Sequence, residues 1–178
     1  MQTQVKSRYQ PLQIKAARRE DMPLVAQMIR ASADWYAEFV DPEDLNEHYV
    51  DENWQTRNFI KRDFYLGYNE KNQPIGTLSL QYFNNYAYIG YLYLDTSEVG
   101  KGYGHTLMNF ARRQALQKDM EGLCLIAHPE AVWAVKAYEK FGFECLHTEE
   151  KQILSWNQEA LKGYYESGFH LYHYPFNA

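Results

Sequence analysis

The stretch Val99-Gly100-Lys101-Gly102-Tyr103-Gly104 decides the fold, because it joins two segments of different periodicity. An apolar run at residues 88–94 indicates a strand before it, and a helical pattern over residues 103–118 follows it. The glycines permit a sharp turn and the close approach of a ligand. The helix start offers no Ser, Thr, Asp or Asn as an N-cap, so its first N–H groups lack side-chain partners. Such a terminus favours an anion, most simply a phosphate.

The composition is that of a globular protein of ordinary size. The chain has 178 residues, of which 46% are hydrophobic and 23% charged, enough for one domain over residues 1–178 with a substantial core. The net charge of −5 disfavours nonspecific nucleic-acid binding. Both cysteines, Cys124 and Cys145, stand in apolar, strand-like contexts and are expected to be small buried hydrophobes in a reducing compartment.

Residues 1–10 are polar, are expected to be loose, and lack the apolar core of a signal peptide. No apolar run approaches transmembrane length, so a cytoplasmic protein with no membrane partner is expected. No metal is expected, because the alternating residues 170–174 lack partner ligands at metal-site spacing. An exposed sheet edge would allow a homodimer, which nothing in the sequence fixes.

The order of the predicted elements gives an α+β domain with a mixed sheet flanked by helices. Strands are predicted at residues 12–17, 63–68, 75–83, 86–94, 123–127, 143–154 and 168–175. Helices are predicted at residues 20–33, 51–61, 103–118, 128–142 and 155–161, with a loop or broken helix at 33–50. The three strands between residues 63 and 94 are joined by short turns, which is typical of an antiparallel meander.

A second motif lies one strand and one helix downstream of the glycines. Ala131, Ala134 and Tyr138 are spaced i, i+3, i+7, so they share one helix face and form a shallow groove that ends in a phenol. The glycine spacing fits neither the dinucleotide fingerprint nor the nucleoside-triphosphate P-loop, which leaves another phosphorylated ligand or a glycine-rich turn that binds none.

With both motifs, the chain resembles the GNAT family of N-acetyltransferases. Residues 99–104 resemble the family's pyrophosphate loop, and Tyr138-Glu139-Lys140-Phe141-Gly142-Phe143 resembles the motif that follows it. The likeness extends over roughly residues 10–176. Val99 stands where the family usually has Arg or Gln, and Ala131 stands where it usually has Asn, which leaves cofactor geometry and acyl-chain selectivity open.

The resemblance implies acetyl-CoA as cosubstrate and a primary amine as acceptor, with a small molecule favoured over a protein N-terminus or lysine. It implies a largely antiparallel sheet that splays between its fourth and fifth strands and admits the pantetheine arm. The cofactor-binding residues are then Leu92, Tyr93, Leu94, Val99, Gly100, Lys101, Gly102, Tyr103, Gly104, His105, Ala131, Ala134 and Tyr138. Tyr138 is the candidate catalytic acid for the leaving sulfur, or a donor that positions it.

The general base and the acceptor wall stay open at this stage. Base candidates are Glu38, Asp41, His48 and His128, and His128 is equally plausible as an N-cap. Segments 33–50 and 155–172 are expected to form the acceptor side, with the rings of Trp35, Tyr36, Phe39, Trp156, Tyr164 and Tyr165. A noncatalytic acyl-CoA-binding module is the alternative, because residues 88–94 contain no carboxylate or histidine.

Overall fold

The structure is a computed structural model that describes residues 11–45 and 50–176. Its strands are β1 (Gln13–Ala16), β2 (Asp63–Tyr68), β3 (Pro74–Phe83), β4 (Tyr86–Leu94), β5 (Gly122–Ala127), β6 (Glu144–His147) and β7 (His170–Pro175). Its helices are α1 (Met22–Ala31), α2 (Ala33–Tyr36), α3 (Pro42–Leu45), α4 (Glu52–Lys61), α5 (Tyr103–Gln117), α6 (Val132–Phe141) and α7 (Glu150–Glu159). The fold is the mixed α/β architecture predicted from the sequence.

The seven strands form one sheet in the order β1-β2-β3-β4-β5-β7-β6. All neighbouring pairs are antiparallel except β4 and β5. The meander from β2 to β4 is confirmed. The crossover from β4 to β5 runs through α5, as a parallel connection requires.

The sheet splays between β4 and β5, as expected. The two strands pair only where Tyr86–Tyr88 face Gly122–Cys124. Beyond Tyr88, β4 and β5 no longer pair with each other, while β5 stays paired with β7 as far as Ala127. The diverging strands therefore leave a gap next to the end of β4.

A β-bulge in β4 lies beside this gap. Thr77 pairs with Tyr93 and Ser79 with Gly90, so Leu78 alone faces two residues of β4. One of those two, Tyr91, has a φ of 47°, which is unusual for a bulky residue. Because bulges bend a strand and redirect its side chains, the bulge turns the last part of β4 relative to its beginning.

Apolar clusters cover both faces of the sheet. On one face, Leu107 and Met108 of α5 are buried with Leu78 and Leu80 of β3. On the other face, α1 and α4 pack on Phe64 and Leu66 of β2, which alternate along that strand with Tyr65 of the first cluster. Asp51 fixes the start of α4, because its carboxylate accepts a hydrogen bond from the Trp54 N–H at 2.8 Å.

The predicted strand at residues 143–154 is wrong beyond residue 147. The chain forms β6 and then turns into α7, which begins at Glu150 and has non-helical backbone at residues 156–158. An acidic residue in a first turn is stabilised by the positive end of the helix dipole. The apolar Ile153, which had suggested a continuing strand, is buried from this helix against Cys124 and Leu161.

Two smaller expectations are also corrected. The helix predicted from residue 128 begins at Val132, and residues 129–130 form a turn. Cys124 is buried as expected, but Cys145 is exposed because it lies on β6, at the edge of the sheet. None of the helices within residues 11–45 and 50–176 combines the length and apolar character that a membrane span requires.

Candidate active site

The glycine stretch forms an open helix terminus. Gly102 is the N-cap of α5 with φ of 94°, and this N-cap residue makes no side-chain hydrogen bond to the helix. Gly100 has φ of 86° and nothing within 4 Å of the position a Cβ would occupy. Both glycines adopt a left-handed conformation that other residues rarely take. The uncapped helix start predicted from the sequence is thus confirmed.

A cavity of about 340 Å³ lies over this terminus, and we call it the loop cavity. Four segments form its walls: the glycine stretch, the end of β4, helix α2, and helix α6 from Trp133 to Lys140. The lining includes Val99, Gly100, Gly102, Gly104, His105, Leu92, Tyr93, Leu94, Trp35, Tyr36, Trp133, Ala134, Lys136, Ala137, Tyr138 and Lys140. The helix terminus therefore faces a cleft rather than bulk protein, and two lysines of α6 line the same cleft.

A second cavity of about 310 Å³, the inner cavity, is lined by both diverging strands. Residues 88–93 of β4 and 125–127 of β5 contribute to it. Other segments complete its lining with Glu43, Arg62, His128, Ala131, Ala134, Tyr138, Tyr164, Tyr165, Glu166 and Phe169. Tyr36, Leu92, Tyr93, Ala134 and Tyr138 line both cavities. These five residues define the junction, which a ligand anchored at the helix terminus can reach.

The phenols at the junction remain neutral near physiological pH. Burial, and then the nearby phenols of Tyr36, Tyr88 and Tyr172, raise the pKa of Tyr138 well above its ordinary value. Burial and the charge of Glu166 raise the pKa of Tyr36 to about 12. A phenol with a raised pKa keeps its proton, so Tyr138 can act as a hydrogen-bond donor to a group in either cavity.

His128 is held in one orientation at the wall of the inner cavity. Its ring lies between Phe39 and Phe169, with centroids 4.7 Å and 5.3 Å away. Its Nδ1 accepts the Glu130 N–H at 3.2 Å, which assigns the proton of the neutral ring to Nε2. Burial lowers the pKa of His128. In this state the ring is a donor at Nε2, which makes it a poor general base, and it does not cap α6, whose N-cap is Ala131.

Most of the predicted cofactor residues line the loop cavity. Ala131 lines only the inner cavity, and Lys101 and Tyr103 line neither. Lys101 is exposed, and its ammonium pairs with the Glu98 carboxylate at 3.0 Å. Two other lysines, Lys136 and Lys140, line the loop cavity.

The predicted acceptor wall is brought together only in part. Tyr36, Tyr164 and Tyr165 line the inner cavity, whereas Trp35 lines the loop cavity and packs edge-on against Trp133, with centroids 5.3 Å apart. Four other candidates line neither cavity: Phe39, Trp156 and the exposed Glu38 and Asp41. His48 lies outside the described residues.

The sequence reasoning missed several lining residues. Lys136 and Lys140 are spaced i, i+4 on the motif helix, a local signal that could have found them. Arg62 and Glu166 carry no such signal, because only the fold brings these distant segments to one cavity. No group of three or more His, Cys, Asp or Glu side chains suited to a metal is found in the described part of the chain.

Comparison with known proteins agrees with this geometry. The sequence profile of the acetyltransferase (GNAT) family matches residues 27–143, more than half of the chain. The chain therefore belongs to the GNAT acetyltransferase family, and the resemblance seen in the two motifs is confirmed. N-acetyltransferase activity is the activity that this membership indicates. No curated protein sequence matches the chain significantly.

Solved structures share the fold at low sequence identity. The PaiA N-acetyltransferase of Thermoplasma acidophilum, solved with coenzyme A, is 20% identical over 93% of this chain and 99% of its own, with a TM-score of 0.71. A GNAT-family acetyltransferase of Staphylococcus aureus is 15% identical over 94% and 100%, also at 0.71. The spermidine N-acetyltransferase of Vibrio cholerae, solved with CoA and spermine, is 18% identical over 92% and 95%, at 0.62.

Proposed function

We propose that this protein transfers the acetyl group of acetyl-CoA directly to the primary amine of a small molecule. The uncapped terminus of α5 carries the proposal, because it opens into a cavity that meets the inner cavity at Tyr138. Backbone N–H groups of residues 99–105 bind the diphosphate, and Lys136 and Lys140 add positive charge. The pantetheine arm follows residues 92–94 of β4 beyond its pairing with β5.

In the proposed reaction the amine nitrogen bonds to the acetyl carbon while the C–S bond breaks. The amine loses one proton and the sulfur leaves as a thiolate, which takes up one proton. Tyr138 donates a hydrogen bond to that sulfur. Because its pKa is raised far above that of a thiol, near 8.5, the phenol stabilises the thiolate by hydrogen bonding more than by full proton transfer.

A carboxylate near the junction supplies the other half of the proton transfer. Glu166 lines the inner cavity, and its charge contributes to the raised pKa values of Tyr36 and Tyr93 at the junction. A negative charge there attracts a protonated amine and receives its proton, directly or through water. We therefore propose Glu166 as the base ahead of Glu38, Asp41 and His128, while His48, outside the described residues, stays a prediction.

A small acceptor is supported by the size and walls of the inner cavity. About 310 Å³ accommodates a small molecule, and residues from β4, β5 and segment 164–169 surround it. The spermidine N-acetyltransferase that shares the fold is a protein named for a small amine. The free cysteines of the described residues support a reducing, cytoplasmic location as part of the proposal.

A noncatalytic acyl-CoA-binding module is the second candidate, favoured by Ala131 and by the lack of a carboxylate on β4. Release of free CoA, measured with a thiol reagent over a panel of amines, separates the two. We expect CoA release that requires both acetyl-CoA and a small primary amine. Tight binding of acetyl-CoA with no release for any amine would instead establish the noncatalytic module.

A further inference from the structure

We propose that the acceptor carries a carboxylate as well as its amine, as an amino acid does, and that Arg62 binds this carboxylate in the inner cavity. The inference rests on the proposed function and names the substrate class for that same site. It starts from a cation that lines the cavity and that the proposed chemistry does not use.

The guanidinium of Arg62 is held in place on three sides. Its Nε donates a hydrogen bond to Asn58 Oδ1 at 3.2 Å. Its central carbon lies 4.7 Å from the Tyr91 ring centroid and 5.2 Å from that of Tyr164. The Tyr164 hydroxyl in turn accepts a hydrogen bond from Gln81 at 3.0 Å. An arginine stacked in this way is preorganised for a planar anion.

Gly90 makes room for this arrangement. A Cβ built on Gly90 would clash with Nη1 of Arg62, so the guanidinium lies directly over the backbone of β4. Gly90 itself lines the inner cavity. Glycine at this position thus lets the cation approach the cavity wall closely.

The two Nη groups of Arg62 have no carboxylate partner among the side chains that the structure describes, those of residues 11–43 and 50–176. The cations of the ion pairs that those residues form are Arg18, Lys101 and Lys162. Glu43 and Glu166 line the same cavity without forming an ion pair with Arg62. With Nε bonded to Asn58, the Nη groups remain as donors suited to a carboxylate.

Arg62 and Glu166 act on different parts of the inner cavity. The guanidinium of Arg62 lies over Gly90, which lines the inner cavity but not the loop cavity. Glu166 contributes to the raised pKa values of Tyr36 and Tyr93, which line both cavities at the junction. The cation therefore lies at the inner part of the cavity, and the carboxylate acts on the junction.

This separation suits a dipolar acceptor. Its ammonium lies by Glu166, close to the acetyl group to be transferred, and its carboxylate lies on Arg62. A polyamine of similar length would place a second positive charge against Arg62, which is repulsive. Other oxyanions, such as a phosphonate, share the chemistry of a carboxylate, so the test must include them.

The test compares amines that differ only in the carboxylate. Phenylalanine is paired with phenethylamine, methionine with 3-(methylthio)propylamine and lysine with cadaverine, while the aminophosphonate analogue of phenylalanine tests the other anion and spermidine tests a polyamine. We expect kcat/KM for at least one amino acid to exceed that of its partner by about 30-fold or more, with spermidine a poor acceptor. The proposal would be overturned if the decarboxylated or phosphonate partner of each amino acid had an equal or higher kcat/KM.

Variants of Arg62 provide the second arm. Arg62→Met should raise KM for the amino acid about 30-fold and leave the decarboxylated partner within threefold, while Arg62→Lys retains part of the preference. Lys61→Met is the matched control, because Lys61 neighbours Arg62 and the Tyr164 ring but does not line the cavity. An equal loss on both members of a pair would contradict a carboxylate contact.

A binding measurement keeps this inference separate from the proposed function. If no amine releases CoA, calorimetric titration of phenylalanine and phenethylamine into the CoA-bound protein still decides it. Binding of the amino acid that is lost in Arg62→Met, with CoA affinity unchanged, supports the carboxylate site. Equal binding of both compounds, or binding of neither, overturns it.

Discussion

At the scale of single residues, the site is defined by half-buried phenols between two cavities. Tyr36, Tyr93 and Tyr138 all have raised pKa values, with burial as the first cause in each case. Groups of this kind are weak acids and good neutral donors. The chemistry at the junction is therefore better suited to stabilising a leaving thiolate than to removing a proton, which needs a different residue.

Replacing Tyr138 with Phe removes that donor while keeping most of its packing. We expect kcat to fall at least tenfold, with the Kd of acetyl-CoA within about threefold of wild type. Tyr103→Phe is the control, because Tyr103 lies at the same helix terminus but lines neither cavity. Unchanged kcat in Tyr138→Phe, measured by CoA release, would remove Tyr138 from the mechanism.

Glu166→Gln tests the proton acceptor through its pH dependence. We expect kcat/KM to fall about 10- to 100-fold at pH 7 and to recover as the pH approaches the pKa of the free amine, near 10, since a neutral amine needs no base. Glu159→Gln serves as the control, because Glu159 is exposed and pairs only with the exposed Lys162 among the described residues. A loss of the same size at every pH would indicate a structural role.

At the scale of elements, the glycine stretch and the end of β4 could be predicted because their signals are local. Glycines at the strand-to-helix change and the absence of a capping residue are visible within a few positions of one another. The bulge in β4 has no such signal, since it depends on how Leu78 faces two residues of another strand. The wrong strand prediction at residues 148–154 also arose because a long-range contact was not visible in the sequence. Ile153 is buried by packing against Cys124 and Leu161, and these partners lie far from or outside its local pattern.

The two glycines at the start of α5 have different roles and give a matched pair of variants. Gly102 has φ of 94°, so Gly102→Ala should cost about 1–2 kcal/mol of backbone strain and weaken acetyl-CoA binding about tenfold. A Cβ on Gly104 would meet only Leu94, at an ordinary 3.9 Å, so Gly104→Ala should bind within threefold of wild type. Equal affinity of both variants in calorimetry would show that the shape of this terminus does not matter.

At the scale of the molecule, the sheet keeps the two cavities in register. The inner cavity is lined by residues from β4, β5, the connection between α4 and β2, and the segment before β7, which are far apart in the sequence. Most of the residues predicted to bind the cofactor line the loop cavity, whereas only half of the rings predicted for the acceptor side line the inner cavity. Arg62 and Glu166 could not be predicted from the sequence, because only the whole fold brings both residues to the inner cavity.

The rigidity of this arrangement depends on the cluster under α5. Leu107 is fully buried and Leu116, on the same helix, is 44% exposed. Leu107→Ala should lower the free energy of unfolding by about 2–5 kcal/mol, and Leu116→Ala by about 0.5 kcal/mol. Urea denaturation measures both, and similar losses in the two variants would contradict the assigned packing.

A crystal structure with acetyl-CoA tests the central claim most directly. We expect diphosphate oxygens within about 3.2 Å of backbone nitrogens between residues 100 and 105, and the thioester sulfur within about 3.5 Å of the Tyr138 hydroxyl. Coenzyme A bound with its phosphates away from the start of α5, or with its sulfur outside the junction of the two cavities, would contradict the account.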